Sequence, residues 1–272
     1  MASELSQRTV RSLVALAFAA LMILAGLSLQ VTRSEGSGLS VSGTAVAGAQ
    51  APQAKLVAER EPAGRANPLI PLPADGTPVL EVRSGAEVDL RSSPGGKSVA
   101  TLGDTTEWGS PTVLTVLERK GNWVGVPTEK LANGGLGWVK LGSDAFEIDS
   151  VALSVEVDLS DMTAKLLRDG EVERKWTVSV GSPESPTPTG TFAITDKLTE
   201  GLNPAYGCCA LPITATQPNL PPGWTGGNRM AIHGTTAPVG LANSSGCVRS
   251  SDEDLWALID AAPLGTPVEI HD

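Results

Sequence analysis

The 272-residue sequence predicts a mostly-β protein, with a small β-barrel over residues 78–146 and a β-rich unit over 150–272 that carries one or two helices. Three observations lead there. Thirty glycines and twenty prolines with only 18% charged residues favour short strands and many turns. Runs with a period of two recur between turn signals along both stretches. A single segment near the C-terminus has the apolar spacing of a helix.

At the N-terminus, Arg8 and Arg11 precede an apolar run from Leu13 to Val31. At 1.5 Å per residue it spans about 28 Å, close to the hydrocarbon thickness of a bilayer. A cleaved signal usually has a shorter apolar core with a small-residue site close behind. The best such site, Ala45-Val46-Ala47, lies far beyond the run. Residues 1–31 therefore read as a membrane anchor in preference to a signal segment, and either one exports the rest of the chain. The arginines ahead of the run place the N-terminus inside. Residues 32–77, rich in Ala, Gly, Ser and Pro with no apolar periodicity, read as a disordered tether.

Over 78–146 the expected strands are Val79–Val82, Val88–Leu90, Val99–Leu102, Val113–Leu117, Trp123–Val126 and Trp138–Leu141. Ser93-Pro94-Gly95-Gly96, Gly121-Asn122 and Asn133-Gly134-Gly135 supply turns between them. The C-terminal unit opens with the half-buried strand Leu153-x-Val155-x-Val157, and Asp169-Gly170 makes a hairpin leading to Trp176, Val178 and Val180. Gly201 to Asn228 is long and rich in Pro and Gly, as binding loops or lids often are. The helix is expected over Asp252 to Ala261, with Ser250 and Glu253 as a capping box and Leu255, Leu258, Ile259 and Ala262 on one face.

A net charge of −10 and a pI near 4.8 argue against nucleic acid as a partner. Three cysteines are an odd number for an exported chain, so at least one stays free or pairs between molecules. Adjacent Cys208 and Cys209 read as buried small side chains or structural thiols. Two histidines and three cysteines in this arrangement match no zinc spacing, and neither a metal nor another cofactor is expected.

The chemistry gathers in residues 231–250, Ala-Ile-His-Gly-Thr-Thr-Ala-Pro-Val-Gly-Leu-Ala-Asn-Ser-Ser-Gly-Cys-Val-Arg-Ser. A cysteine attacks as the thiolate, and a neighbouring imidazole is the usual device for generating it at neutral pH. Cys247 reads as the nucleophile and His233 as the base. The other histidine, His271, lies one residue from the end. The amides of Gly246 and Cys247 are natural oxyanion donors, and the start of the helix beyond Cys247 is placed to lower the thiol pKa.

His233-Gly234-Thr235 followed by Ser244-x-Gly246-Cys247-Val248-Arg249 resembles the catalytic motif of the YkuD-type L,D-transpeptidases. The resemblance runs over about 150–272, through Val178-Ser179-Val180-Gly181, Thr187-Pro188-Thr189-Gly190-Thr191-Phe192, Pro204-Ala205-Tyr206-Gly207 and Gly265-Thr266-Pro267-Val268-Glu269-Ile270. The family often has histidine at x, where this chain has Ser245. The resemblance implies a β-rich L,D-transpeptidase domain. In it, a carbonyl at Gly234 or Thr235 fixes the tautomer of His233, and Arg249, Tyr206, Thr235 and Ser244 belong to substrate binding. Arg249 either clamps a substrate carboxylate or pins its loop, and Tyr206 either faces the acyl donor or packs in the core.

The implied reaction joins Cys247 to the third residue of a peptidoglycan tetrapeptide stem, releases D-alanine and transfers the acyl group to an amine, giving a 3→3 cross-link. Water or a free D-amino acid as acceptor gives a carboxypeptidase or an exchange enzyme. The alternatives are a catalytically impaired wall-binding protein and a cysteine peptidase of ordinary proteins. Val88-Asp89-Leu90-Arg91-Ser92-Ser93-Pro94, Gly121-Asn122-Trp123 and Gly137-Trp138-Val139 resemble bacterial SH3-type domains, which accompany wall-active enzymes. Trp123 and Trp138 are either core aromatics of a spacer or wall contacts. The expected partners are peptidoglycan stems and, through the N-terminal segment, the membrane. A monomer at the extracytoplasmic face is expected.

Overall fold

Alternating apolar residues build the first half as expected, and their pairing differs from a barrel. The computed structural model describes residues 68–142 and 144–272. The anchor expected over 1–31 and the tether up to residue 67 lie outside the described residues. Strands β1 (Thr77–Val82), β2 (Val88–Arg91), β3 (Ser98–Leu102), β4 (Val113–Thr115), β5 (Glu118–Lys120), β6 (Trp123–Pro127), β7 (Leu136–Lys140) and β8 (Phe146–Val151) form two antiparallel sheets. Their orders are β3-β2-β7-β6-β5 and β4-β1-β8. They share a core of Leu80, Val82, Val88, Leu90, Val124, Val126, Val139, Leu141 and Phe146.

The eight strands therefore make two sheets and no closed barrel, because β1 pairs along its whole length with β8 instead of closing onto β2. β8 has no clear signal of its own, since its pattern Phe-Glu-Ile-Asp-Ser-Val exposes Ile148. Nor is the stretch before β1 free along its length. Asn122 accepts from the Ile70 amide at 3.1 Å, Arg119 donates to the Ile70 carbonyl at 2.7 Å, and Ile70 and Leu72 pack on the core.

In the second half, β9 (Leu153–Asp158), β10 (Thr163–Arg168), β11 (Glu171–Thr177), β13 (Gly190–Ala193) and β18 (Pro267–His271) form a sheet ordered β11-β10-β9-β18-β13, with β18 parallel to β9. Val155 and Val157 point inward as the period of two requires, and Ser154 and Glu156 outward. A second sheet, β14 (Ala210–Thr216), β15 (Arg229–Thr235) and β17 (Val248–Ser251), carries the motif. The short strands β12 (Val180–Gly181) and β16 (Ala242–Ser244) pair in parallel beside it.

β14 corrects the reading of Gly201–Asn228 as one long loop. Ala210-Leu211-Pro212-Ile213-Thr214-Ala215-Thr216 is buried almost throughout, and Pro212 disguises it by interrupting the ladder register. The lone α-helix among the described residues, α1, covers Asp252–Ala261 and buries Leu255, Leu258 and Ile259. Its cap is Ser251, which accepts from the Asp254 amide at 3.1 Å and donates to the Asp254 carboxylate at 2.6 Å. Ser250, the expected cap, instead accepts a buried hydrogen bond from the Trp176 indole at 3.0 Å.

Val79 of β1 and Val113 of β4 belong to the core of the second half. Thr115 donates to the Gly265 carbonyl at 2.6 Å. Any Cβ at Gly265 would come within 2.7 Å of a Val113 methyl and 2.9 Å of a Val79 methyl, so side chains of the first half press directly on the backbone of the second there.

Candidate active site

β15 and β17 run parallel and in contact, with His233 opposite Arg249 and Ile232 opposite Val248. This register brings Cys247, just ahead of β17, beside the strand that carries the histidine. His233, only 4% exposed, and the half-buried Cys247 line one cavity of about 450 Å³ together with Tyr206, Trp224, Ser245 and Arg249. Cys247 is the free cysteine, since Cys208 and Cys209 are joined to each other.

The loop holding Cys247 is fixed from three directions. Ser244 accepts from the Gly246 amide at 3.0 Å and donates to the Cys247 carbonyl at 2.6 Å. Thr187 accepts from the Gly181 amide at 2.8 Å and donates to the Gly246 carbonyl at 2.7 Å. Gln217 donates to the Pro186 carbonyl at 2.9 Å and, at 3.4 Å, to that of Ser245. Gly246 has φ +113°, a backbone conformation that favours glycine, and a Cβ there would displace the Gln217 side-chain amide.

Two of the expected substrate ligands are committed elsewhere. The Ser244 side chain is 2% exposed with its hydroxyl spent inside the loop, and the Gly246 amide is held by that same hydroxyl. Thr235 ends β15 and accepts from the Ala237 amide at 3.1 Å, closing the next turn, and it does not line the cavity. Tyr206 does line it. Its ring meets the His233 imidazole edge-on, centroids 4.8 Å apart, and burial, with Cys247 nearby, raises its phenol pKa.

His233 Nδ1 lies 2.8 Å from the Gly234 carbonyl. A carbonyl can only accept, so Nδ1 carries the hydrogen and Nε2 keeps its lone pair. Burial is the main reason the imidazole pKa falls to about 4, and the Arg249 cation pushes the same way. The Gly234 carbonyl and the Asp252 carboxylate oppose the fall without cancelling it. Burial likewise raises the Cys247 thiol, against smaller lowering effects from the Ala231 amide and Arg249. The resting pair is thus a neutral thiol beside a neutral imidazole.

The expected help from the helix start is absent, for a geometric reason. The four residues of β17 separate Cys247 from α1, about 13 Å of extended chain, whereas a helix dipole fades within its first turn. The Arg249 guanidinium contacts the Asn243 amide oxygen at 3.3 Å and forms no ion pair with a described residue. Arg249 therefore stands in the cavity as a cation whose one side-chain partner among the described residues is a neutral amide.

Some contributors carried no functional assignment in the sequence. Thr187 stands inside the Thr-Pro-Thr-Gly segment of the resemblance, a signal that locates it. Asp252 accepts from the Cys208 amide at 3.0 Å, and its carboxylate packs so closely on Gly207 and Gly234 that a Cβ at either would lie 2.3 Å away. Gln217 and Trp224 had no local signal. A second cleft, about 170 Å³, shares Cys247, Ser245, Tyr206 and Trp224 with the first and is also lined by Trp108, Leu220 and Met230.

With this geometry in place, the comparison with known proteins is specific. Residues 153–270 match the YkuD family model, the L,D-transpeptidase catalytic domain. Two proteins described as candidate L,D-transpeptidases are similar to the chain: YkuD of Bacillus licheniformis, 27% identical over 124 residues, and YqjB of Bacillus subtilis, 31% identical over 116. The alignments cover 45% and 39% of this chain and 67% and 64% of those proteins. Among solved structures, an L,D-transpeptidase from Mycobacterium tuberculosis aligns at 19% identity and a TM-score of 0.40, covering 52% of this chain and 74% of that one. The similarity to the YkuD-type L,D-transpeptidase catalytic domain thus lies in the second half of the chain, over residues 153–270.

Proposed function

We propose that the chain is a peptidoglycan L,D-transpeptidase working through Cys247. The observation that carries the proposal is the shared cavity: a free cysteine, a histidine whose Nδ1 hydrogen is fixed, and an arginine without a counter-charge among the described residues. Arg249 takes the terminal carboxylate of a tetrapeptide stem. As Cys247 Sγ attacks the carbonyl of the third residue, its proton passes to His233 Nε2. The pair is neutral at rest, so charge develops only during attack. The Cys247 amide is the remaining backbone donor for the oxyanion, because Ser244 holds that of Gly246. When the carbon–nitrogen bond breaks, His233 returns the proton to the departing D-alanine amine and a thioester remains.

An acceptor amine then attacks the thioester, the carbon–sulfur bond breaks, and the proton returns to sulfur through His233. Water at this stage gives the carboxypeptidase outcome. The N-terminal segment would hold the domain at the extracytoplasmic face of the membrane, and the strands of the first half would serve as a wall-facing module. No cofactor is required for these steps.

The test is mass spectrometry of purified tetrapeptide muropeptides incubated with the full chain. Loss of D-alanine together with 3→3 dimers or tripeptide is expected, and Cys247→Ala abolishes both. D-alanine release that persists in Cys247→Ala, or none from the wild type, refutes the assignment.

A further inference from the structure

We infer that Trp108, carried by the first half of the chain, forms one wall of the acyl-acceptor site and favours transfer to an amine over hydrolysis. This rests on the proposed thioester at Cys247. The supporting geometry begins with the connection between β3 and β4, which folds back as a tight hairpin. The Thr106 amide donates to the Ser110 carbonyl at 2.8 Å, and the Thr112 amide donates to the Asp104 carbonyl at 2.9 Å. The Thr106 hydroxyl also donates to the buried Asp196 carboxylate of the second half.

Arg229 fastens the tip. Its guanidinium lies 5.3 Å from the Trp108 ring centre, 3.1 Å from Glu129 and 3.6 Å from Glu107, and it donates to the Ile213 carbonyl at 2.7 Å. A pinned tryptophan that still leaves 41% of its surface exposed is poorly explained by packing alone. Trp224, 43% exposed, lines the same smaller cleft, and so does Cys247.

The charges of the two clefts assign their occupants. Arg249 lines the larger cleft, without an ion-pair partner among the described residues, and so attracts the donor carboxylate and repels an ammonium. Arg229 lines the smaller cleft, but it and its neighbour Lys130 are matched by Glu107 and Glu129. A primary aliphatic amine on a peptide stem meets no unmatched cation there. Its methylenes would pack on a lining that includes two indoles, a ring type that also tolerates an approaching ammonium. After losing a proton to solvent, the amine nitrogen attacks the thioester carbonyl. The carbon–nitrogen bond forms, the carbon–sulfur electron pair returns to sulfur, and the amine's second proton reaches sulfur by way of His233.

The test uses the full chain with the tetrapeptide muropeptide as both donor and acceptor, over a series of stem concentrations. The readout is the ratio of dimer to tripeptide, which does not depend on how much of a variant is folded. Trp108→Ala should lower that ratio about five- to tenfold, the usual worth of one aromatic wall. Trp108→Phe should restore at least half of it. An unchanged ratio in Trp108→Ala overturns the inference, and so does a wild type that yields tripeptide but no dimer at any stem concentration. A wild type that releases no D-alanine refutes the thioester reading itself, and this inference falls with it.

Discussion

Protonation of His233 offers a quantitative check on the site. Its imidazole pKa is about 4 in the folded chain, mainly through burial, against an ordinary value near 6.5. Between those values an unfolded chain binds a proton that the folded chain refuses. Stability contributed by the neutral buried ring is therefore complete above about pH 6.5 and is lost as pH falls toward 4. A proton-affinity difference of that size amounts to about 3 kcal/mol. Carboxylates also titrate in this window, so the comparison is between wild type and His233→Gln in urea unfolding at pH 7 and pH 4. The wild type should lose about 3 kcal/mol more than the variant over that interval. With only two histidines in the chain, the ring protons can be followed directly by NMR. One should titrate near 4 and the other, His271, above 6.5, where hydrogen bonds to Asp272 and Glu156 raise it. An equal acid loss in both proteins, or a His233 ring titrating near 6.5, would refute the picture of a dry, neutral base.

The loop and the cation give two more expected outcomes. Thr187→Val leaves the Gly181 amide and the Gly246 carbonyl unpaired in a buried setting, at about 1–3 kcal/mol each. The melting temperature should drop by several degrees and Thr187→Ser should recover most of it, whereas an unshifted Thr187→Val melt contradicts the staple. Arg249→Gln should raise the KM for tetrapeptide about tenfold or more and, by removing a nearby cation, move the His233 NMR titration upward. A KM unchanged with only kcat reduced would place Arg249 outside carboxylate binding.

How much the sequence disclosed depended on whether a signal was local. The strand at Leu153-x-Val155-x-Val157 and the limits of α1 were legible, because a period of two and a run of helix-spaced leucines report their own burial. His233 and Cys247 were legible as a pair through the motif, and the parallel register of β15 and β17 accounts for their fourteen-residue separation. The cap of α1 was misplaced by one residue because Ser250 and Ser251 are adjacent and identical, and only the Trp176 indole tells them apart. β8 and β14 were hidden for opposite reasons, the first by charged residues on its open face and the second by a proline inside a buried ladder. The pKa directions of the pair were not legible, since they follow from burial and no residue type announces that. Trp108 carried no assignment in the sequence, and nothing local links position 108 to a thiol at 247.

The likeness to the family model begins at Leu153, while among the described residues the cohesive unit already includes the strands from Thr77 onward. The difference lies at Arg229, a side chain only 14% exposed that belongs to the recognisable segment while both of its carboxylate partners do not. A graft of residues 153–270 into another protein would take along a largely enclosed cation and leave its counter-charges behind. It would also strip Val79 and Val113 from the turn at Gly265. In this molecule the boundary of resemblance is a seam in the sequence that the folded chain does not share, and a cut made there passes through the middle of a structure.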